Sequence, residues 1–511
     1  MSKFHLIDRD IDFLLPPSVR EWLPEGHLAR YVVEVVEGLD LSDLERAYAG
    51  RGSAAYHPAL LLSLLIYGYA TGCYSSRKIE RATYDSLAFR YIACNRHPDH
   101  DTLANFRRRF AREFEAVFVQ VLQVARENQI SRFGAVSLDG TKIHANASRH
   151  SALSHEHAEI IEARLKAEVQ ERLALAEQAD GANPPDGMRV PDEIKRREDR
   201  LAAIAEAKTK IEARAAERFA REQADYQAKL AAREAKAAAS GKKPRDKAPK
   251  PPEPGPRPKD QINLTDEESR IMPVIGGGFE QCYNGQAIVD TETMLVLVPQ
   301  VTQAVNDKQQ VVPLVEKLQA LPEGLNQPRP FLADAGCFSE ANMETCEAAD
   351  IEPLIEIKRN EHHPHFSERF SEPPQLPAEA TPVQRMTHRL KTGAGKAVYA
   401  LRKSTVEPVF GIIKSVMGFR QFLTRGLANV QGEWTLVCLA WHLKRMAVLR
   451  PQYVKSYRKQ RLFEITVSFC HTRHSNDQPM AGSKVKSDRL LVWIQWAAYL
   501  SSSDQVLSDS P

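Results

Sequence analysis

Cysteine is scarce and unpatterned: seven in 511 residues, at positions 73, 94, 282, 337, 346, 438 and 470, with no Cys-x-x-Cys pair. That excludes a disulfide framework and the commoner zinc or dithiol motifs, and suits a reduced, cytoplasmic protein. Long apolar runs are also missing. The longest, such as Leu490 to Leu500, are too short and too interrupted to span a bilayer. The start, Met1-Ser2-Lys3-Phe4-His5, lacks the pattern of a signal peptide. Net charge is small, +3 from 69 basic and 66 acidic residues, so clusters of basic residues carry more information than their sum. Hydrophobic residues make up 43%, which excludes wholesale disorder.

The chain is organised around Phe133-Gly134-Ala135-Val136-Ser137-Leu138-Asp139-Gly140-Thr141-Lys142-Ile143. It reads as a short strand that ends on a carboxylate and then turns, with Lys142-Ile143-His144-Ala145 able to return as a hairpin partner. Asp is depleted in strands, so Asp139 before Gly140 is either a turn-former or a working group. Pro330 to Gly336 repeats the pattern and ends on Asp334.

Residues 1–130 read as helical. Pro58 opens a dense apolar run. Asp101 can cap a helix whose stripe is Leu103, Phe106, Phe110, Phe114, Val117 and Val121, with Arg107, Arg108 and Arg109 beside it. Two readings stand: a helical bundle with a solvated basic edge, or a DNA-binding domain whose arginines meet phosphates. Residues 151–240 turn Ala-, Glu-, Lys- and Arg-rich. Stripes at Ile161, Leu165 and Val169, then Ile194, Leu201, Ile204 and Ile211, predict an antiparallel helical hairpin with a structural or assembly role. A basic, Pro-rich linker follows, extended or disordered from Gly241 to Asp260, before order resumes at Arg270.

Beyond it, Gln286 to Thr302 reads as two strands. Asn306-Asp307 caps a helix with Val311, Val312, Val315 and Leu318 inward, and Ser339 caps another. Ile351 to Ile357 is a further strand, so the order is that of an α/β layer. Residues 358–395 read as a loop, with His362, His363 and His365 a slight zinc signal. A helix from Tyr399 to Met417 buries Val406, Val409, Phe410, Ile413 and Met417, with Glu407 next to that stripe. Ser404 to Glu407 alternatively matches a capping box. Trp434 and Trp441, on a strongly apolar helix, read as core. Cys470-His471 and His474 lack the rest of a zinc site. Two strand-end aspartates and a helical glutamate suit hard divalent cations, which prefer oxygen ligands.

Together these motifs resemble the DDE transposases of bacterial insertion sequences. The resemblance rests on His57-Pro58, Pro98-Asp99-His100-Asp101-Thr102 with Phe106-Arg107-Arg108, Leu138-Asp139-Gly140-Thr141-Lys142, Gln281-Cys282-Tyr283-Asn284-Gly285-Gln286 and Ala333-Asp334-Ala335-Gly336. Most specific is Tyr399-x-x-Arg402-Lys403-x-x-Val406-Glu407-Pro408-Val409-Phe410-Gly411, followed by Gly418-Phe419-Arg420 and Arg425-Gly426. The spacing from Arg402 to Glu407 is one residue longer than in the best-known form of that signature.

The resemblance implies a ribonuclease-H-like mixed sheet with flanking helices over 131–150 and 270–450. An N-terminal helical domain (1–130), a helical-hairpin insertion (151–240), a linker (241–269) and a tail (451–511) complete the chain. It implies that Asp139, Asp334 and Glu407 hold two Mg²⁺ or Mn²⁺ ions, and that DNA is bound as element ends and target, by a homodimer. Candidate DNA contacts are Arg107, Arg108, Arg109, Lys142, Tyr399, Arg402, Lys403, Lys414, Arg420 and Arg425. The activity implied is cutting of element ends and joining of the 3′-hydroxyl to target. The alternatives are a catalytically inactive DNA-binding relic and a nuclease without strand transfer.

Overall fold

Val136–His144 form strand β1, which does not turn at Asp139-Gly140. The expected hairpin is replaced by a long-range pairing. β1 runs antiparallel to β5 (Phe279–Asp290) along its whole length, from Val136 opposite Asp290 to His144 opposite Cys282. Asp-Gly is a turn signal only when the neighbouring residues offer nothing better, and a twelve-residue partner strand does. The computed structural model describes residues 18–48, 55–131, 134–179, 190–240, 247–274, 276–326, 330–357, 373, 375–377 and 380–449. His362, His363, His365 and the tail with Cys470 lie outside them, and the described end of the expected 358–395 loop is instead a helix, Pro382–Lys391.

The other edge of β5 carries β6 (Val296–Thr302) and β4 (Arg270–Pro273), both antiparallel. On its far side β1 pairs in parallel with β7 (Phe331–Ala333), and β7 in parallel with β8 (Pro353–Ile355). The order β6-β5-β1-β7-β8 is therefore antiparallel on one half and parallel on the other. From Gln281 onward β5 is buried on both faces, although Gln281, Asn284, Gln286 and Asp290 interrupt its apolar residues.

The Leu427–Leu449 helix packs against this sheet, and both its tryptophans are core, as their spacing indicates. Trp434 Nε1 donates to Gln286 O at 3.1 Å and Trp441 Nε1 to Met294 O at 2.8 Å. Buried His442 accepts from Val296 N at 2.9 Å, and burial lowers its pKa to about 3. The expected Tyr399–Met417 helix keeps its buried stripe but is broken. An α-helix (Gly393–Ala400), a 3₁₀ turn (Leu401–Ser404), a short α-helix (Val406–Gly411) and a π-helical turn (Ile412–Val416) follow one another. The capping box does not form, since the Ser404 hydroxyl donates to Leu401 O at 3.0 Å.

The N-terminal helices include Leu28–Glu37, Pro58–Ala70, His100–Arg109 and Phe114–Glu127. The stripe from Leu103 to Val121 is buried but spans two helices. The cap is Asp99 rather than Asp101, accepting from Thr102 N at 2.7 Å. Arg107 does not face solvent as expected of a phosphate contact. Its Nη1 donates to the Tyr69 hydroxyl at 2.8 Å, which donates to Glu433 Oε1 at 2.7 Å. Glu433 Oε2 also accepts from Leu423 N, Thr424 N and the Thr424 hydroxyl. The buried carboxylate needs a counter-charge, and Arg107 turns inward to supply it.

The insertion is a hairpin of His155–Ala179 and Val190–Ser240. Its direction is fixed by Glu162 pairing with Lys208 and Glu168 with Arg197. Leu165, Ile204, Ala207 and Ile211 form its core. The described part of the linker is ordered, folding back along the second helix. Arg218 pairs with Asp260 and Arg257 with Glu222, and β3 (Gln261–Asn263) pairs with β2 (Ala152–Ser154). Among the described residues no helix is long and apolar enough to cross a membrane.

Candidate active site

Parallel pairing sets the first two carboxylates side by side. Val136 lies opposite Phe331 and Ser137 opposite Leu332. Continued two residues, that register brings Asp139 level with Asp334, just past the end of β7. Asp139 Oδ1 accepts from Gly140 N at 2.8 Å, and Asp334 Oδ1 from Gly336 N at 2.9 Å. Burial raises the Asp139 carboxyl to about 6; Asp334 and Asp307 add to the rise, while the Gly140 amide and Arg402 oppose it.

Glu407 stands at the start of the Val406–Gly411 helix, with Arg402 on the 3₁₀ turn before it. Arg402 Nη1 lies 3.8 Å from Asp139 Oδ2 and its Nη2 lies 3.9 Å from Glu407 Oε1. One rigid guanidinium thus stands between the two carboxylates, whose facing oxygens are at most about 10 Å apart. Both separations exceed hydrogen-bond length, and Arg402 Nε is buried without a partner. Each carboxylate therefore attracts the guanidinium by charge rather than by a hydrogen bond. Tyr399 donates to Ala333 O at 3.2 Å and hydrogen-bonds Arg402. Burial lifts its hydroxyl to about 12, so it stays protonated.

The other candidate basic residues differ in their surroundings. Lys414 Nζ donates to Lys142 O at 2.7 Å, and burial lowers the pKa of both amines. Arg420 Nε donates to Lys414 O at 3.0 Å and Arg425 Nε to Asn146 O at 3.0 Å, leaving both side chains otherwise exposed. Lys403 and Arg108 are exposed. Arg109 bonds Ala47 O and lies over the Tyr48 ring. Asp307, read in the sequence as a helix cap, is committed elsewhere. Its Oδ1 accepts from Asn284 Nδ2 at 2.7 Å and from Gln286 Nε2. The available signal was two amides alternating in an apolar strand.

Among the described residues no group of three or more His, Cys, Asp or Glu side chains is gathered to hold a metal ion. The donor set nevertheless fits a hard divalent cation. Asp139, Asp334 and Glu407 come from separate elements and would offer it only carboxylate oxygens.

Residues 17–109 match the family model described as a transposase domain (DUF772). Residues 273–443 match that described as a transposase DDE domain. Asp334 and Glu407 fall inside the second match, and Asp139 lies between the two. The chain belongs to the DDE transposases of insertion sequences. Comparisons with curated proteins and with solved structures found no match.

Proposed function

We propose that this transposase cuts the ends of its element and joins the freed 3′-hydroxyl to target DNA by phosphoryl transfer at Asp139, Asp334 and Glu407. The observation that carries the proposal is Arg402, a cation held by charge between Asp139 and Glu407. Carboxylates that tolerate a guanidinium at this distance form a cation-seeking pair, and a guanidinium hydrogen-bonded to neither carboxylate can turn its N–H groups to a phosphate oxygen. The sheet order, three antiparallel strands followed by two parallel ones, supports a ribonuclease-H-like arrangement.

Asp139, Asp334 and Glu407 would hold Mg²⁺ or Mn²⁺, two ions in this reading. Such ions, when bound, activate an attacking oxygen and stabilise a leaving one. The protein's own groups then position the substrate. Arg402 and Tyr399 sit closest to the scissile phosphate. Lys403, Lys414, Lys142, Arg108, Arg420 and Arg425 hold flanking phosphates. Two ends must be held together, which calls for a dimer on DNA. Asp334→Asn should abolish cleavage of a terminal-repeat duplex in Mg²⁺ while gel-shift binding persists. Cleavage surviving in that variant would falsify the triad.

A further inference from the structure

The reverse face of β1 holds a polar cluster that the reaction above does not use. Side chains alternate across a strand, so Gly140 and Lys142 share the face of Gln286 and Asn284, which lie directly opposite them. Asp307 closes the cluster. Both amides turn their N–H groups to its Oδ1, and both amide oxygens are left buried without a partner. Asn284 and Gln286 are fully buried. Stranding two carbonyl oxygens is costly and gives packing no benefit. What the arrangement secures is one carboxylate in a fixed place.

That place is behind the first catalytic aspartate. A methyl group at Gly140 would stand 2.7 Å from Asp307 Oδ1, and Gly140 N donates to Asp139 Oδ1 at 2.8 Å. The two carboxylate oxygens are therefore at most about 8 Å apart, with only a glycine between them. Gly140 is needed because a side chain would fill the space that Gln286, Asp307 and Asn284 occupy. The buried thiol of Cys337 registers the same neighbourhood: burial raises its pKa, and Asp334, Asp307 and Asp139 all add to the rise.

We propose that Asp307, clamped by Asn284 and Gln286 through the glycine gap in β1, is a positioning residue whose negative charge strengthens cation binding at Asp139. This rests on the reading of Asp139 as a cation ligand. Asp307 touches neither the cation nor the substrate; it acts through Asp139.

The test is Mn²⁺ alone, titrated into the full chain without DNA and followed by the paramagnetic resonance of the free ion. Asp307→Asn keeps an oxygen to accept the two N–H groups and removes only the charge. It should weaken Mn²⁺ binding about three- to tenfold, with unchanged melting of the metal-free protein. Asp307→Ser, which accepts an N–H without the charge, should weaken binding likewise and decides the matter should Asp307→Asn not fold. Wild-type affinity in folded Asp307→Asn or Asp307→Ser overturns the inference. Asp139→Asn separates the two claims. If it binds Mn²⁺ as the wild type does, the underlying reading has failed; if it loses binding while Asp307→Asn does not, only the role of Asp307 has.

Discussion

Replacing Asp139 by Asn should destroy activity and stabilise the metal-free protein. The Asp139 side chain is only 22% exposed, and its pKa is raised from 3.8 to about 6. A rise of about two units corresponds to roughly 3 kcal/mol between the protonation states. The sign follows from proton uptake. Between pH 4 and 6 the folded chain holds a proton on Asp139 that the unfolded chain has released. The stabilisation is therefore complete below about 4 and lost as pH rises through about 6. At pH 7.5 the folded protein bears the whole cost of the ionised group. Asn retains an oxygen for the Gly140 N–H and carries no charge, so it should be more stable there by up to about 3 kcal/mol. His442 behaves oppositely. Its neutral form stabilises the fold above about 6.5, and that is lost as acid approaches its lowered pKa. Both proteins share His442, so it cancels in the difference. Urea denaturation in EDTA at pH 7.5, 6 and 4.5 measures the gap, which should shrink steadily toward acid. A variant no more stable than wild type at pH 7.5, or a gap independent of pH, would refute the reasoning.

Other consequences can be checked with the same protein. Gly140→Ala would place a methyl 2.2 Å from Gln286 Nε2 and 2.9 Å from Asn284 Oδ1. A loss of about 1–3 kcal/mol in urea unfolding is expected. Arg107→Ala strips the buried Glu433 of its counter-charge and should cost about 3–5 kcal/mol. Arg108→Ala should leave stability within about 0.5 kcal/mol of wild type, but lower DNA affinity with a shallower salt dependence. Arg402→Ala should slow strand cleavage by about 10²–10³. It should not weaken binding of Mn²⁺ alone, because a guanidinium repels the ion; weaker binding would mean that Arg402 orders the carboxylates rather than the phosphate.

Periodicity made much of this legible. The stripe Val406, Val409, Phe410, Ile413 and Met417 is buried although its helix is broken, because a solvent-avoiding face survives a change of helical pitch. The hairpin insertion and the tryptophan helix follow from the same rule. The errors came from partners distant in the chain. Asp139-Gly140 carries local turn grammar, yet β5 decides its conformation. Arg107 sits beside two other arginines and looks like surface charge, until Glu433 appears across the core. Asp307 looks like a cap because caps are local, while Asn284 and Gln286 reach it from a strand.

The break before Glu407 accounts for the extra residue in the signature. In a continuous α-helix, positions five apart differ by about 140° around the axis, so Arg402 and Glu407 would face away from each other. Here they meet at one guanidinium. The backbone between them leaves the α-helical path. Leu401–Ser404 form a 3₁₀ turn, Thr405 takes φ −113° and ψ −78°, and the α-helix restarts at Val406. The Thr405 hydroxyl donates to Leu401 O at 2.6 Å and Ser404 to the same oxygen, tying off the first turn. Pro408, lacking an N–H, is tolerated within the first turn of the new helix, where amides have no intrahelical acceptor. A change of pitch thus offsets a change of spacing, and both side chains are delivered to the same side of β1.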